Sequence, residues 1–239
     1  MIRAGYQKQL EGLHTALIHM GALCEEAIAC AVKGLLDDDR ALREKAVQLE
    51  KDTDLKEREI ESICVRLLLR EQPVASDLRQ ITAAQRMVTD MERIGDQAAD
   101  IAALAEAGEA GFLGEGGEGG KSSSGNEGGK SNLGLIVGGV HIGDMAEAVT
   151  EMLTACVDSF VAGDLRKARE VVMMDDRVDD LFRKVKGELL QMITEDPQSG
   201  GACLDLLMIA KYLERIGDHA VNIAEWVVYA ISGERGDPA

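Results

Sequence analysis

The pentapeptide Glu92-Arg93-Ile94-Gly95-Asp96 returns unchanged as Glu214-Arg215-Ile216-Gly217-Asp218, 122 positions further along a chain of 239 residues. Self-similarity at a fixed offset marks a repeated structural unit and decides how the rest of the chain is read. The match extends outward from both copies. Gln97-Ala98-Ala99-Asp100-Ile101-Ala102 parallels His219-Ala220-Val221-Asn222-Ile223-Ala224, and far upstream His19-Met20-Gly21 with Glu25 parallels His141-Ile142-Gly143 with Glu147 at the same offset. Between these blocks the register changes: Asp39 and the pair Glu50/Asp54 align with Asp164 and the pair Asp175/Asp179 at an offset of 125. Segments of fixed role joined by connections of different length explain the change, so each repeat holds three segments.

Apolar residues recur at three-and-four spacing in each segment, for example Leu10, Leu13, Leu17, Met20, Leu23, Ala27 and Ile28, which is helical periodicity. Aromatics make up 3% of the chain and prolines number 3, while Ala, Leu, Ile, Val and Met carry the apolar content. That composition suits helices and nearly excludes an all-β fold. Punctuation sets the expected limits: helices from about 4 to 36, 40 to 69, a third ending near 107, then 135 to 161, 165 to 194 and 202 to 231. Asp37-Asp38-Asp39 breaks the first helix and offers an N-cap to the second. Pro73 and Pro197 end helices two and five. Long helices joined by short turns must run antiparallel, which predicts an all-α protein of two tandem three-helix bundles.

The expected organisation is a first bundle over 1–107, a flexible linker over 108–134, a second bundle over 135–232 and a disordered tail over 233–239. The linker is dominated by Gly, Ser, Glu and Lys, too little apolar surface to order itself. Its Gly120-Lys121-Ser122 and Gly129-Lys130-Ser131 lack the glycine that a phosphate-binding loop needs, since Glu115 and Ser124 stand there.

With 43 acidic against 26 basic residues the formal net charge is -17, a field that repels nucleic acid and anionic lipid and favours cations or basic protein surfaces. No apolar run approaches the roughly 20 residues of a membrane span, and Met1-Ile2-Arg3-Ala4 opens into charged helical sequence rather than a signal peptide. A cytoplasmic protein is expected. Five scattered cysteines with no CxxC pair read as small buried hydrophobes.

Acids at i and i+4 share a helix face and repel each other unless a counter-charge lies between them. Four such pairs occupy matched positions: Glu50/Asp54, Glu92/Asp96, Asp175/Asp179 and Glu214/Asp218. If helices two and three are antiparallel neighbours their pairs converge into a four-carboxylate patch, and likewise for helices five and six. All-oxygen sites suit hard cations such as Mg²⁺ or Mn²⁺, and bridging carboxylates also hold iron clusters. Solvated charge is the competing reading, because Asp96/Asp100, Asp176/Asp180 and Glu57/Glu61 share the spacing. Gly95 and Gly217 lie mid-helix, where each costs about 1 kcal/mol relative to alanine, which points to close approach by a neighbouring helix or a ligand. His19 and His141 read as histidines at helix contacts rather than ligands. Trp226 and Tyr229 read as packing residues rather than a partner-binding edge. Glu11-Gly12-Leu13-His14 supplies one Glu-x-x-His, but a di-iron carboxylate enzyme needs two copies and the second half offers none.

The paired acids, the stretch Gln72-Pro73-Val74-Ala75-Ser76-Asp77-Leu78-Arg79, and the doubled pentapeptide followed by Asn222-Ile223-Ala224-Glu225 together closely resemble the PhoU family of bacterial phosphate-uptake regulators. The resemblance covers both repeats. It implies tandem three-helix bundles, commonly dimeric, acting without known catalysis. It further implies negative regulation of the phosphate-starvation response through contacts with subunits of the phosphate ABC transporter and with a sensor histidine kinase, the protein reaching the inner membrane only through such partners. Some members bind multinuclear iron or other divalent cations (Mn, Mg or Zn) through these motifs. By position that role falls on Glu50, Asp54, Glu92, Asp96, Asp175, Asp179, Glu214 and Asp218, with Asp100 and Asn222 as possible additional ligands. Two departures stand out: Asp100 replaces the asparagine of the second repeat, and the Gly/Ser-rich insert is long. A metal-free acidic scaffold for a basic partner is the second reading, and a di-iron enzyme the third.

Overall fold

The computed structural model describes residues 2–71, 73, 75–114 and 136–234. Six long helices run through them: α1 (Ile2–Leu36), α2 (Arg40–Glu71), α3 (Ser76–Gly114), α4 (Ile142–Ala162), α5 (Leu165–Glu195) and α6 (Gly200–Ser232), with a 3₁₀ turn at Pro197–Ser199 and no strand among the described residues. The two tandem bundles expected from the repeat are α1–α3 and α4–α6.

The α1–α2 and α4–α5 turns use the same device with different residues. In the second, Gly163 takes a left-handed φ of 65° as the C-cap of α4, and the Asp164 carboxylate accepts a hydrogen bond from Lys167 N at 3.0 Å to cap α5. In the first, Asp38 occupies the left-handed position at φ 56°, and Asp39 accepts from Ala41 N at 2.9 Å and Leu42 N at 3.3 Å. An aspartate tolerates that region better than most residues because its short side chain finds local partners. Here the Asp38 carboxylate lies 3.3 Å from the buried Arg43 guanidinium, which also donates to Gly34 O at 2.9 Å. Of the three aspartates, the cap itself is Asp39.

Proline ends α2 and α5 as anticipated. After α5, Asp196 accepts from Gln198 N at 3.0 Å and starts the 3₁₀ turn that redirects the chain into α6.

Three boundaries differ from expectation. α3 continues to Gly114 instead of stopping near 107, so residues 108–114 lengthen the helix and are not linker; the rest of the Gly/Ser-rich segment lies outside the described residues. The fourth helix begins at Ile142 and not at 135, because Gly138-Gly139 forms a turn after a short helical stretch at 136–137. Gly139 packs there so tightly that an added Cβ would sit 3.1 Å from Met192 Cε on α5. Gly233, at the start of the expected tail, is the left-handed C-cap of α6, its N–H donating to Tyr229 O at 2.9 Å; the remainder of that tail is also outside the described residues.

The core is one continuous layer shared by both bundles. On α1 the periodic residues Leu13, Leu17, Met20, Ala27 and Ile28 are buried as the spacing predicts, with Leu23 half-buried. All five cysteines are buried free thiols; Cys24 donates to Met91 O and Cys156 to Ala220 O, and burial pushes the Cys24 and Cys64 thiols up to about 12. One expectation is corrected here: Tyr6–Leu36 of α1 does contain an 18-residue window long and apolar enough, by composition, to cross a membrane. The helix is that apolar because it contacts α2, α3 and α4 at once, and 56% of the window is buried inside the protein.

The bundles join along two antiparallel helix pairs, α3 with α6 and α1 with α4. Between α3 and α6, the Arg86 guanidinium sits 5.7 Å from the Trp226 ring centroid, and Asp90 accepts from His219 Nδ1 at 2.9 Å and Asn222 Nδ2 at 3.3 Å. Trp226 and Tyr229, ring centroids 5.8 Å apart and edge to face, are thus packing residues of this interface. Between α1 and α4, Thr154 Oγ1 donates to Glu25 Oε1 at 2.6 Å, and a Cβ at Gly21 would meet Val157 Cγ2 at 3.0 Å.

The turn chemistry is open to a direct test. Replacing Asp164 by Ala should cost about 1 kcal/mol by loss of the cap, and Gly163→Ala about 1–2 kcal/mol through the left-handed backbone. Denaturant titration should show a lower midpoint with an unchanged m-value in both cases.

Candidate functional site

Gly95 and Gly217 explain where the acids meet. A Cβ on Gly95 would stand 3.3 Å from Thr53 Cγ2 of α2, and one on Gly217 would stand 3.3 Å from Asp175 Oδ1 and 3.4 Å from Val178 Cγ1 of α5. Each glycine therefore marks a close helix contact inside its own bundle. Thr53 is buried and lies between Glu50 and Asp54 in sequence, so the same contact delivers that pair to the Glu92/Asp96 turn of α3.

In the first cluster, carboxylate oxygens of Glu50, Asp54 and Asp96 all lie within 4.8 Å of one another, each residue half-buried. Glu92 is beside them but turned toward Arg93, whose Nε is 3.3 Å from Glu92 Oε2 and whose Nη1 is 3.1 Å from Asp96 Oδ2. Burial, followed by Asp54 and Asp96, holds Glu50 above the usual carboxylate range; burial and Asp96 do the same for Glu92 against the opposing pull of Arg93. In the second cluster, burial first and then Asp179, Asp218 and Glu214 push Asp175 up to about 6. Asp218 is also raised, by burial and Glu214, with Lys211 and His219 acting against it. Glu214 is ion-paired to Lys211. The structure thus brings the α5 and α6 acids close enough to repel, as it does those of α2 and α3.

Glu57, which the spacing to Glu61 reads as ordinary solvated charge, belongs beside the first cluster. It stands seven residues after Glu50 on α2, half-buried, raised by burial, Glu61 and Asp54, and close enough to Glu92 to raise that group in turn. The signal was present: positions 50, 54 and 57 follow i, i+4, i+7 and share one face. At offset 125 the second repeat has Phe182, whose ring centroid lies 5.7 Å from Lys211 Nζ. The clusters are therefore unequal, the first richer in acid and the second carrying a lysine.

Asp100 is exposed one turn beyond Asp96 and raised by burial and by Asp96, with Arg215 of α6 opposing. Asn222 is engaged elsewhere, its amide donating to Asp90 across the bundle interface. His19 is exposed. His141 lies at the start of α4, with Nδ1 2.6 Å from Glu188 Oε1 and Nε2 2.6 Å from Lys184 Nζ. His14 stacks edge to face on Phe160 at 5.5 Å, so the single Glu-x-x-His serves helix packing.

Both clusters pass a chemical test for hard cations. The donors are carboxylates, three of them in the first cluster share one small volume, and neighbouring acids add to burial in raising Glu50 and Asp175, while Arg93 and Lys211 engage only some of the acids.

Fold and clusters together define a tandem-repeat, all-α protein with an acidic, repelling patch on each bundle. The chain belongs to the PhoU family: the PhoU domain matches residues 17–105 and again 142–227. It is 32% identical over 244 aligned residues to the phosphate-specific transport system accessory protein PhoU homolog of Clostridium acetobutylicum, covering 99% of each chain. It is 33% identical over 232 to the Pseudomonas aeruginosa homolog of the same name, covering 95% of this chain and 86% of that one. The crystal structure of PhoU from Pseudomonas aeruginosa superimposes with a TM-score of 0.78 at 32% identity, covering 96% of this chain and all of that one. That of the phosphate transport system regulatory protein PhoU from Streptococcus pneumoniae gives 0.77 at 24% identity, covering 98% of this chain and all of that one, a likeness of fold. The resemblance carried by the doubled pentapeptide is borne out, as is the two-bundle fold.

The raised Asp175 carries a pH dependence whose sign is unusual for a carboxylate. Its folded pKa, about 6, lies above the ordinary aspartate value, so between roughly pH 4 and 6 the native state binds more protons than the unfolded chain, and stability falls as pH rises through that window. Chelator-treated protein should melt at a higher temperature at pH 5 than Asp175-driven repulsion allows at pH 7.5. Asp175→Asn should flatten this dependence and raise the pH 7.5 melting temperature, both readable by calorimetry.

Proposed function

We propose that this chain is a regulatory accessory protein of a phosphate-specific transport system, acting as a repressor of phosphate uptake and of the phosphate-starvation response. The observation that carries the reading is full-length similarity, at about a third identity, to proteins named as phosphate-specific transport accessory proteins. Those names describe accessory proteins and not enzymes, which supports a non-catalytic role. Its partners on this reading are subunits of the phosphate ABC transporter and a phosphate-sensing histidine kinase, met on the cytoplasmic side of the membrane by a homodimer.

The acid clusters are the proposed cation sites. Glu50, Asp54, Glu92 and Asp96, with Glu57 nearby, would hold cations on the first bundle, and Asp175, Asp179, Glu214 and Asp218 on the second; iron, Mn, Mg and Zn are the candidate ions. A bound cation supplies the positive charge that the repelling acids lack. The residues of this chain do the rest. α2 and α3 set the spacing of the first donors through Thr53 and Gly95, and Arg93 and Lys211 hold Glu92 and Glu214 in place.

Two measurements test this reading. Deleting the gene in the parent organism should switch on phosphate-starvation genes in phosphate-rich medium; unchanged expression would remove the regulatory role. Elemental analysis of the purified protein should find bound metal, falling by about half in Glu50→Ala/Asp96→Ala as one of two clusters is lost. Full-length protein without metal, together with no rise in melting temperature on adding Mn²⁺ or Fe²⁺, would favour the metal-free scaffold.

A further inference from the structure

Where α1 and α4 run side by side they leave an open groove of about 560 Å³ on the surface. Most of its exposed lining is apolar, with Ile28, Val32 and Leu36 from α1 and Gly143, Ala146 and Ala155 from α4. Lys33, Glu147, Glu151 and, from α5, Lys167 also line it. From Gly143 to Ala155 the α4 wall extends about 18 Å, at 1.5 Å per residue. That length matches three turns of helix, and the small residues on α4 leave the depth that a third helix needs to lie between the two walls.

The charges flanking the trough are arranged by wall. Asp144, Glu147, Glu151 and Asp158 are all exposed on α4 and fall at spacings of three, four and seven, which makes a single acidic row. Glu151 is paired with Arg177 at 2.7 Å and Asp158 with Lys167 at 2.7 Å, both cations coming from α5. Glu147 has no ion pair within 4 Å among the described residues. On the α1 wall, Lys33 lines the groove without such a pair.

From this trough and its acidic row we infer a docking site for an amphipathic helix of a partner protein. The helix would lay apolar side chains at i, i+3 or i+4, and i+7 into the trough and set basic side chains against the α4 row. The inference goes beyond the phosphate-regulatory reading and does not depend on it, since it concerns only what the α1–α4 face accepts.

The test uses the full-length protein and a synthetic peptide of 14 residues, Leu at those spacings and Lys along one flank, with a scrambled peptide of identical composition as control. All five native cysteines are buried, so Ala29→Cys at the groove edge takes an environment-sensitive fluorophore selectively. The amphipathic peptide should shift the emission to the blue and saturate at a concentration at least tenfold below the scrambled one. Ala155→Glu should abolish the shift, and Glu147→Lys/Glu151→Lys should weaken it at least fivefold. Thr150→Arg, on a half-buried groove position, gives a second block should Ala155→Glu melt early. Equal binding of the two peptides, or a shift insensitive to both blocking variants, would overturn the proposal. So would a blue shift that grows with protein concentration alone, since the occupant would then be a second copy of the chain. Failure here leaves the gene-deletion result untouched, so the two readings fail separately.

Discussion

Like charges are held together in this protein by helices that approach too closely to let them part. The approach is set at Gly95 and Gly217, where no side chain separates α3 from α2 or α6 from α5. A glycine in mid-helix costs about 1 kcal/mol relative to alanine, and the acids it gathers repel, so two unfavourable terms coincide at the same turn of each repeat. Packing must offset both, and the buried Ile94 and Ile216 inside the same pentapeptides supply part of that offset. One turn of helix therefore carries the apolar anchor, the close contact and two of the acids together.

The two copies of that turn are also placed against each other. Along the antiparallel α3–α6 pair, Arg86 meets Trp226 and Asp90 meets Asn222. One further turn in the same register sets Ile94 opposite Asp218. Arg215 reaches the field of Asp100 from the opposite bundle, consistent with that register. The repeat is thus a structural device as well as a sequence one, and the interface between bundles runs through the segment that forms both clusters. The symmetry is approximate, and at several functional positions it is broken: Glu57 against Phe182, Asp38 against Gly163, Asp100 against Asn222.

Most of the fold was legible because helical punctuation is local. Asp39, Asp164, Pro73 and Pro197 act within a turn of where they stand, and each does what its chemistry predicts. What escaped were features that depend on neighbours. Nothing within residues 108–114 announces that α3 continues, and the Gly138-Gly139 turn is placed by packing against Met192 on a helix fifty residues away. α1 is apolar enough to mimic a membrane span because three helices cover it, a fact with no local trace. The acid pairs were found from spacing alone, whereas Glu57 needed the i+7 position to be weighed along with i+4. Asn222 belongs to the bundle interface because α3 supplies Asp90, which its own repeat could not reveal.

The excess of acid acquires a more specific meaning from this arrangement. Many of the acids lie on exposed helix faces, where their charge is screened and contributes little to stability. Glu50, Glu92 and Asp175 differ because they are half-buried and raised by burial and by neighbouring acids, so that repulsion acts in the folded state and relaxes when the chain unfolds. Anything that neutralises them only in the folded state must therefore stabilise it, in proportion to its concentration over its dissociation constant. Protons do so at mildly acidic pH, and a hard cation would do so at neutral pH. Of the two, only a cation held by acids of both α2 and α3, or of both α5 and α6, would also resist separation of those helices as well as cancel charge.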